Sequence, residues 1–423
     1  MPAAFDVIER VHGRLEVEAL QRHKHLLPHS PTAQEQALTA LNLKLISTDD
    51  PSRRGELLSQ ITTVEDQLDS DPWSHAVATR PVAVVDFQRE LRPNEVVIEY
   101  VLADPASFAL AITAKSITPY PLKSRSEIDS EMKRYVSLLS KQQANVRLGR
   151  SLFQQLLGPI TEFKTHNAAI IIPDGDIHLL PFAALYDGSH YVVETHTTSV
   201  VSAATVLHML RARSWDTQCG KPFLGFAPWA EETETPSTGV FASLLGPLRG
   251  GEGPKKSDFI PLPESKREVV TGRNEIDKLE GAMPTDDQIK IGAKATEAEF
   301  KRLPLDEYQV LHLAVHGYAD IEHPDRSALI FAHDPKEQSD DGLLQIREIR
   351  RLHLNSALVI LSACKTGVGP AGEAGIANIS NAFLQAGAHT VVASFWPVAD
   401  HATSEIMDRF YTQLASNESK APL

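Results

Sequence analysis

The hydrophobic positions of the chain fall into three regimes. Up to about Asp71 the segments "LEVEALQRHKHLL", "TAQEQALTALNLKLI" and "RRGELLSQITTVEDQL" place apolar residues three and four apart, with breaks at Pro28, Pro31 and Pro51. This spacing predicts amphipathic helices packed as an antiparallel hairpin or small bundle. The stretch shows no 34-residue period with its Trp/Gly/Tyr and Ala/Phe positions, so no helical repeat is assigned.

From Asn94 the pattern turns to strands. "EVVIEYVLA" and "SFALAIT", joined by the turn "DPAS", predict a hairpin, and a helical stretch follows over 126–157. "AAIIIP" predicts a buried strand closing on a Pro-Asp-Gly turn, "YVVETHTTSVV" predicts further short strands, and 203–213 predicts a helix. "KPFLGFAP" is another buried strand. Residues 228–263 then become rich in Gly, Pro, Ser and Glu, with "EETET" and "LRGGEGP", which predicts a loop insertion.

Beyond the insertion, helices and strands alternate. The helices are predicted over 264–279 and 296–302 and in "LLQIREIRRL", "AGIANISNAFLQAG" from near Ala371, and "ATSEIMDRFYTQL". The strands are "YQVLHLAVHG", "SALIFA", "ALVILSAC" and "HTVVASFW". Such alternation predicts an α/β fold, a mostly parallel sheet flanked by helices, in which reactive groups gather at the C-terminal ends of the strands. The regimes set three regions: a short N-terminal helical region over 1–81, a first half over 82–218 and a second half over 219–423.

Composition narrows the function. Among 423 residues, 41 Lys and Arg stand against 55 Asp and Glu, for a formal charge of −14, and no basic stripe is present to neutralise phosphates. Direct nucleic-acid binding is not expected. Two cysteines, Cys219 and Cys364, make no disulfide framework and no zinc-ligand spacing, so no metal is expected. The opening "MPAAFDVIER" lacks the basic and apolar regions of a secretory leader, and the apolar runs are far shorter than a membrane span, so a cytoplasmic location away from membranes is expected.

Two buried strands end in reactive side chains: "VLHLAVHG" delivers His316 and Gly317, and "LVILSAC" delivers Cys364. A cysteine in this position is either a small core residue or a nucleophile. The separation, 364 − 316 = 48, is close to the spacing of about 50 residues, histidine upstream of cysteine, in caspase-type proteases. The chemistry requires such a pair, because a thiol attacks as its thiolate and an adjacent imidazole removes the proton and later returns it to the leaving amine. The backbone N–H groups of Gly317 and Cys364 are the expected oxyanion hole, and the helix expected from Ala371 would favour negative charge at the cysteine. Cys219, in "DTQCGKPF", has no such partner pattern and reads as a structural or incidental surface residue.

Other motifs read more plainly. His312 and His316 lie about 13 Å apart along a strand, too far to share an ion, so His312 is expected to be a core histidine; His178 and His353 are ordinary by the same default. "GVGPAG", Gly367 to Gly372, matches G-x-G-x-x-G, but three residues separate it from the strand, Pro370 stiffens it, and no ribose-binding acid follows the next strand. No nucleotide or other cofactor is expected. Asp400 is expected to cap the last helix.

"VLHLAVHGYAD", "DGLLQIREI", "LVILSACKTGVGPAGEAGIANISNAFLQAGAHTVVASFWPVAD" and "TSEIMDRFY" resemble the CHAT family, caspase- and separase-like cysteine proteases of the clan CD type that are often joined to tetratricopeptide repeats. "IIIPDGDIHLLPFAALYD" looks like the segment those domains carry before the catalytic half, so the resemblance runs from about Val82 to Leu414. It implies a cysteine endopeptidase with His316 and Cys364 as its dyad, a degenerate caspase-like half ahead of the active one, no cofactor, a protein or peptide substrate, and activation by a regulatory protein partner. It also implies that Trp396 and Asp400 bound the substrate cleft, that Ser362 stands where relatives set substrate preference, and that Glu373 anchors the loop beside the cysteine. The resemblance departs from its relatives in the aromatic-rich final strand and the N-terminal repeats. On that ground the competing reading is a catalytically latent caspase-like scaffold that mediates protein–protein interactions.

Overall fold

The computed structural model describes residues 2–23, 32–69, 80–143, 145–213, 220–230, 254, 260–320, 322–334, 336, 340–363, 371–372, 375–376, 378–396 and 398–416. The chain divides into two compact units, one of residues 1–22, 77–214 and 370–377, the other of residues 23–76, 215–369 and 378–423. The opening helices α1 (Pro2–Glu9), α2 (Arg14–His23), α3 (Ala33–Ile46) and α4 (Pro51–Asp69) are shared between them. Packing explains the division: Phe5, Val17 and Leu20 from α1 and α2 are buried against Phe87 and Val97 of the first unit. In α3 and α4, Leu38 and Leu45 close on Leu57 and Ile61 to form a hairpin that belongs to the second.

The first unit continues with α5 (Val84–Glu90), β1 (Glu95–Val101), β2 (Ser107–Ile112), β3 (Ile117–Leu122), α6 (Arg125–Leu139), α7 (Val146–Leu156), β4 (Ala168–Ile172), the single turn α8 (Val192–Thr195), β5 (Thr197–Val200) and α9 (Ala204–Arg211). The sheet order is β3-β2-β1-β4-β5, with β1 antiparallel to β2 and parallel to β4. Alternation along β1 divides the core: Val96, Ile98 and Tyr100 face α6 and α7, while Val97 faces the layer that holds α1, α2, α5 and α9. "YVVETHTTSVV" corrects the expectation of strands throughout, since "VVET" is the helical turn α8 and the strand is confined to "TTSV".

Glu99 of β1 is fully buried, with His12 Nδ1 3.1 Å from its Oε1. Nearby, Glu9 accepts the Ala204 and Thr205 backbone N–H groups at 2.8 and 2.7 Å and so caps α9. Burial pushes the Glu99 carboxyl up to about 7, against the pull of His12 and with the push of Glu9. The folded-state value lies above the unfolded one of about 4.5, so this group's contribution to stability is complete below pH 4.5 and is lost as pH rises through about 7. Glu99→Gln is expected to remove that slope, gaining on the order of 3 kcal/mol on wild type between pH 5 and 8 in urea titrations; parallel curves for the two proteins would contradict it.

The second unit contains β6 (Lys221–Ala227), α10 (Ser265–Glu280), β7 (Ile289–Ile291), α11 (Glu297–Arg302), β8 (Tyr308–Leu313), β9 (His316–Tyr318), β10 (Ala328–Ile330), β11 (Leu343–Gln345), the turn α12 (Ile346–Ile349) and β12 (Leu358–Leu361). The short antiparallel pair β13 (Ala371–Gly372) and β14 (Gly375–Ile376) falls in the first unit, and the second resumes with α13 (Ile379–Gln385), β15 (Thr390–Ala393) and α14 (Asp400–Ala415). The expected parallel sheet is present in the order β15-β12-β8-β6-β7, every neighbouring pair parallel. Leu311, Leu313, Val359 and Leu361 pack on Phe300, Ile379 and Phe383, and Val310, Leu358 and Ile360 pack on Ile276, Met407 and Tyr411. Helices thus cover both faces. At Gly272 of α10 an added Cβ would lie 2.8 Å from both Phe223 and Tyr411, so glycine sets this close approach.

Three expectations change here. "YQVLHLAVHG" is not one strand: the chain leaves the sheet after Ala314, and His316 starts β9, which pairs antiparallel with β10. "LLQIREIRRL" is strand β11 followed by α12, the hand-over marked by a capping box between Gln345 and Glu348. The helix expected from Ala371 begins at Ile379, where the Asn378 side chain accepts the Asn381 N–H. After α13, Gly387 has φ +120°, and an added Cβ would fall 2.0 Å from the Leu354 carbonyl oxygen. Gly387→Ala is therefore expected to cost more than about 2 kcal/mol, measured by denaturation; an unshifted midpoint would contradict that.

Candidate active site at the C-terminal end of the parallel sheet

The ladder of the second unit sets up the site. Phe226 of β6, Leu313 of β8, Leu361 of β12 and Ala393 of β15 form one row of register partners. Three residues beyond that row, the four strands lead in sequence to Trp229, His316, Cys364 and Trp396. The 48-residue spacing of His316 and Cys364 is therefore the offset of the β8–β12 ladder itself, 361 − 313 = 48. Cys364 lies outside the described residues, as do Glu373 and Cys219.

His316 is 6 % exposed, and its Nε2 lies 2.7 Å from the Ile260 carbonyl oxygen. A carbonyl only accepts, so this bond puts the ring proton on Nε2 and leaves Nδ1 as the basic nitrogen of the neutral imidazole. The indole of Trp229 lies 5.5 Å from the imidazole, centroid to centroid, at 52°. Gly317 is half-buried on β9, the edge of the sheet β11-β10-β9, where alternate backbone N–H groups face away from β10.

The remaining candidates sit around this end of the sheet. Ser362 is half-buried directly after β12, and Trp396 is half-buried in the bend after β15. The Ser394 hydroxyl donates to the Ala363 carbonyl, linking the chain just past β15 to the chain just past β12. Asp400 does not cap α14, whose N-cap is Ala399 with no side-chain bond. Instead its carboxylate accepts the Glu264 N–H at 2.9 Å, at the N-terminus of α10, and burial pushes the carboxyl above its ordinary value despite that bond.

His312 is the core histidine expected: fully buried on β8, with Tyr411 Oη 2.9 Å from Nδ1 and Glu268 Oε2 3.3 Å from Nε2. Carboxylates also cluster elsewhere in this unit. Oxygens of Glu297, Asp340 and Glu348 lie within 4.8 Å of one another, a grouping with the chemistry of a cation site. The Lys301 ammonium stands among them, 2.6 to 2.7 Å from each. Burial works against its charge, but Glu348, Glu297 and Asp340 outweigh that and hold its pKa above the ordinary lysine value. The chain supplies its own cation here.

Sequence reasoning missed two parts of the site. The Ile260 carbonyl is a backbone group and has no side-chain signature. Trp229 was legible: it follows the buried strand "KPFLGFA" at the same offset that singles out His316 and Cys364.

The CHAT domain profile matches residues 146–422. This chain belongs to the CHAT domain family. CHAT domains form a caspase-like peptidase family, and the covered parallel sheet of the second unit is consistent with the caspase-like α/β fold. The CHAT match begins later than the Val82 at which the sequence resemblance starts and extends past Leu414. A mouse relative, Tetratricopeptide repeat protein 28, is 23 % identical over an alignment of 305 residues that covers 63 % of this chain and 12 % of that protein. The CHAT chain thus spans about an eighth of the length of the curated relative it matches. Among the described residues no helix is long and apolar enough to cross a membrane.

Proposed function

We propose that this chain is a cysteine endopeptidase of the CHAT type, with Cys364 as nucleophile and His316 as general base and acid. The observation that carries the reading is the shared offset: His316 and Cys364 each follow by three residues a pair of ladder partners on adjacent parallel strands. In the reaction, the Cys364 thiol gives its proton to His316 Nδ1 while Nε2 keeps its bond to the Ile260 carbonyl. The thiolate sulfur forms a bond to the peptide carbonyl carbon, and the N–H groups of Gly317 and Cys364 receive the oxyanion. His316 then protonates the amine as the C–N bond breaks. Water, deprotonated by the same imidazole, hydrolyses the thioester. Ser362, Trp396 and Asp400 border the cleft, and Glu373 anchors the loop after the cysteine.

We further infer that a protein partner controls the activity, that the region 82–218 serves as the degenerate half, and that the protein works in the cytoplasm. The first inference draws on a relative named for tetratricopeptide repeats, modules whose concave surfaces bind proteins. The last draws on the low cysteine count. The test is cleavage of a proteome-derived peptide library, with new N-termini read by mass spectrometry. Wild type is expected to generate a consistent set of cuts that Cys364→Ala does not. Identical patterns from both proteins, or no cuts from either, would favour the latent scaffold.

A further inference from the structure

Trp229 contacts His316 directly and is bonded two residues away from the carbonyl that fixes the histidine. Its ring lies against the His316 imidazole. Its Nε1–H donates at 2.8 Å to the Ile330 carbonyl, and Ile330 is the residue opposite His316 in the β9–β10 ladder. Its own carbonyl accepts the Leu262 N–H at 2.7 Å, two residues from the Ile260 carbonyl that holds His316 Nε2. The indole is seated for this by Ala328, Ile330 and Leu343 beneath it.

An imidazole has two nitrogens of similar basicity, and the bond made by one decides which is protonated. A carbonyl on a connecting segment is a weak means of orientation unless the segment is tied down. We propose that Trp229 is the positioning residue of His316: its side chain fastens the backbone opposite the histidine and restrains the ring by contact, so that Nδ1 is presented as the base. Offset-stacked and tilted aromatic pairs at this separation are attractive, so the ring contact resists rotation of the imidazole. The role rests on the peptidase reading for its purpose, not for its geometry.

The experiment uses the full chain labelled with 15N-histidine, with the His316 signals identified by their loss in His316→Gln. The ring-nitrogen shifts report the ratio of Nε2–H to Nδ1–H tautomers without any substrate. Wild type should be almost wholly Nε2–H. Trp229→Leu should lower the ratio about tenfold, and Trp229→Phe, which keeps a ring and loses the N–H, by a smaller, measurable factor. A wild-type ratio in Trp229→Leu, with the other histidine signals unmoved, overturns the proposal; if that variant does not fold, a wild-type ratio in Trp229→Phe does so. A shifted ratio together with an ordinary, slowly alkylated Cys364 in wild type would uphold the positioning role and sink the peptidase reading. An unshifted ratio in an active peptidase would do the reverse.

Discussion

His316→Ala is expected to lower peptide cleavage by about 10²- to 10⁴-fold, the usual contribution of a positioned general base and acid. The loss should have a distinctive pH dependence. Without the imidazole, the thiol must ionise by itself, with a pKa of about 8.5, so the residual rate should climb through pH 8 to 9 instead of levelling near neutrality. Rates measured over pH 5 to 9 on a peptide identified by library cleavage would decide it. A variant within tenfold of wild type across that range would remove His316 from the mechanism.

Lys301→Met should give the largest loss of stability, about 3 to 5 kcal/mol at neutral pH, the cost of taking one partner from a buried charge group. Glu297 is fully buried and Lys301 is the ammonium nearest it. Burial, with Glu348 close by, already pushes the Glu297 carboxyl well above the usual range, and it pushes Asp341 up to about 7. A carboxyl with a raised folded-state pKa contributes stability that is present below its unfolded value and lost as pH rises through the folded one. Without the ammonium these groups hold their protons more tightly still, so the variant should fall furthest behind wild type at pH 8 and recover part of the difference at pH 5. Urea titrations at the two pH values test this. An equal deficit at both would mean that the methionine merely packs badly.

Much of the second unit was legible because its strands are short, largely apolar and separated by helical patterns. What stayed hidden is where a pattern continues across a structural break. Ala314 and Val315 are as buried as the strand before them, so nothing in "VLHLAVHG" marks the point at which the chain leaves one sheet for another. In "LLQIREI" residues 343–346 are buried without a break, so no periodicity marks where the strand ends, and the Glu348 carboxylate that accepts the Gln345 N–H marks the helix start instead. "VVET" carries β-branched residues yet forms a helical turn, tertiary context overriding a weak preference. Asp400 stands one position inside its helix, so its carboxylate is placed to cap α10 instead. The spacing of His316 and Cys364 was visible in the sequence, but its meaning as a ladder offset required the register.

Activation of Cys364 by His316 can be read from its alkylation rate. Full-length protein would be treated with iodoacetamide from pH 5 to 9 and the label located by mass spectrometry in wild type and His316→Ala. Fast labelling of Cys364 at neutral pH is expected, well ahead of Cys219 and lost in His316→Ala. Equal, slow labelling of both cysteines, unchanged by the substitution, would contradict it.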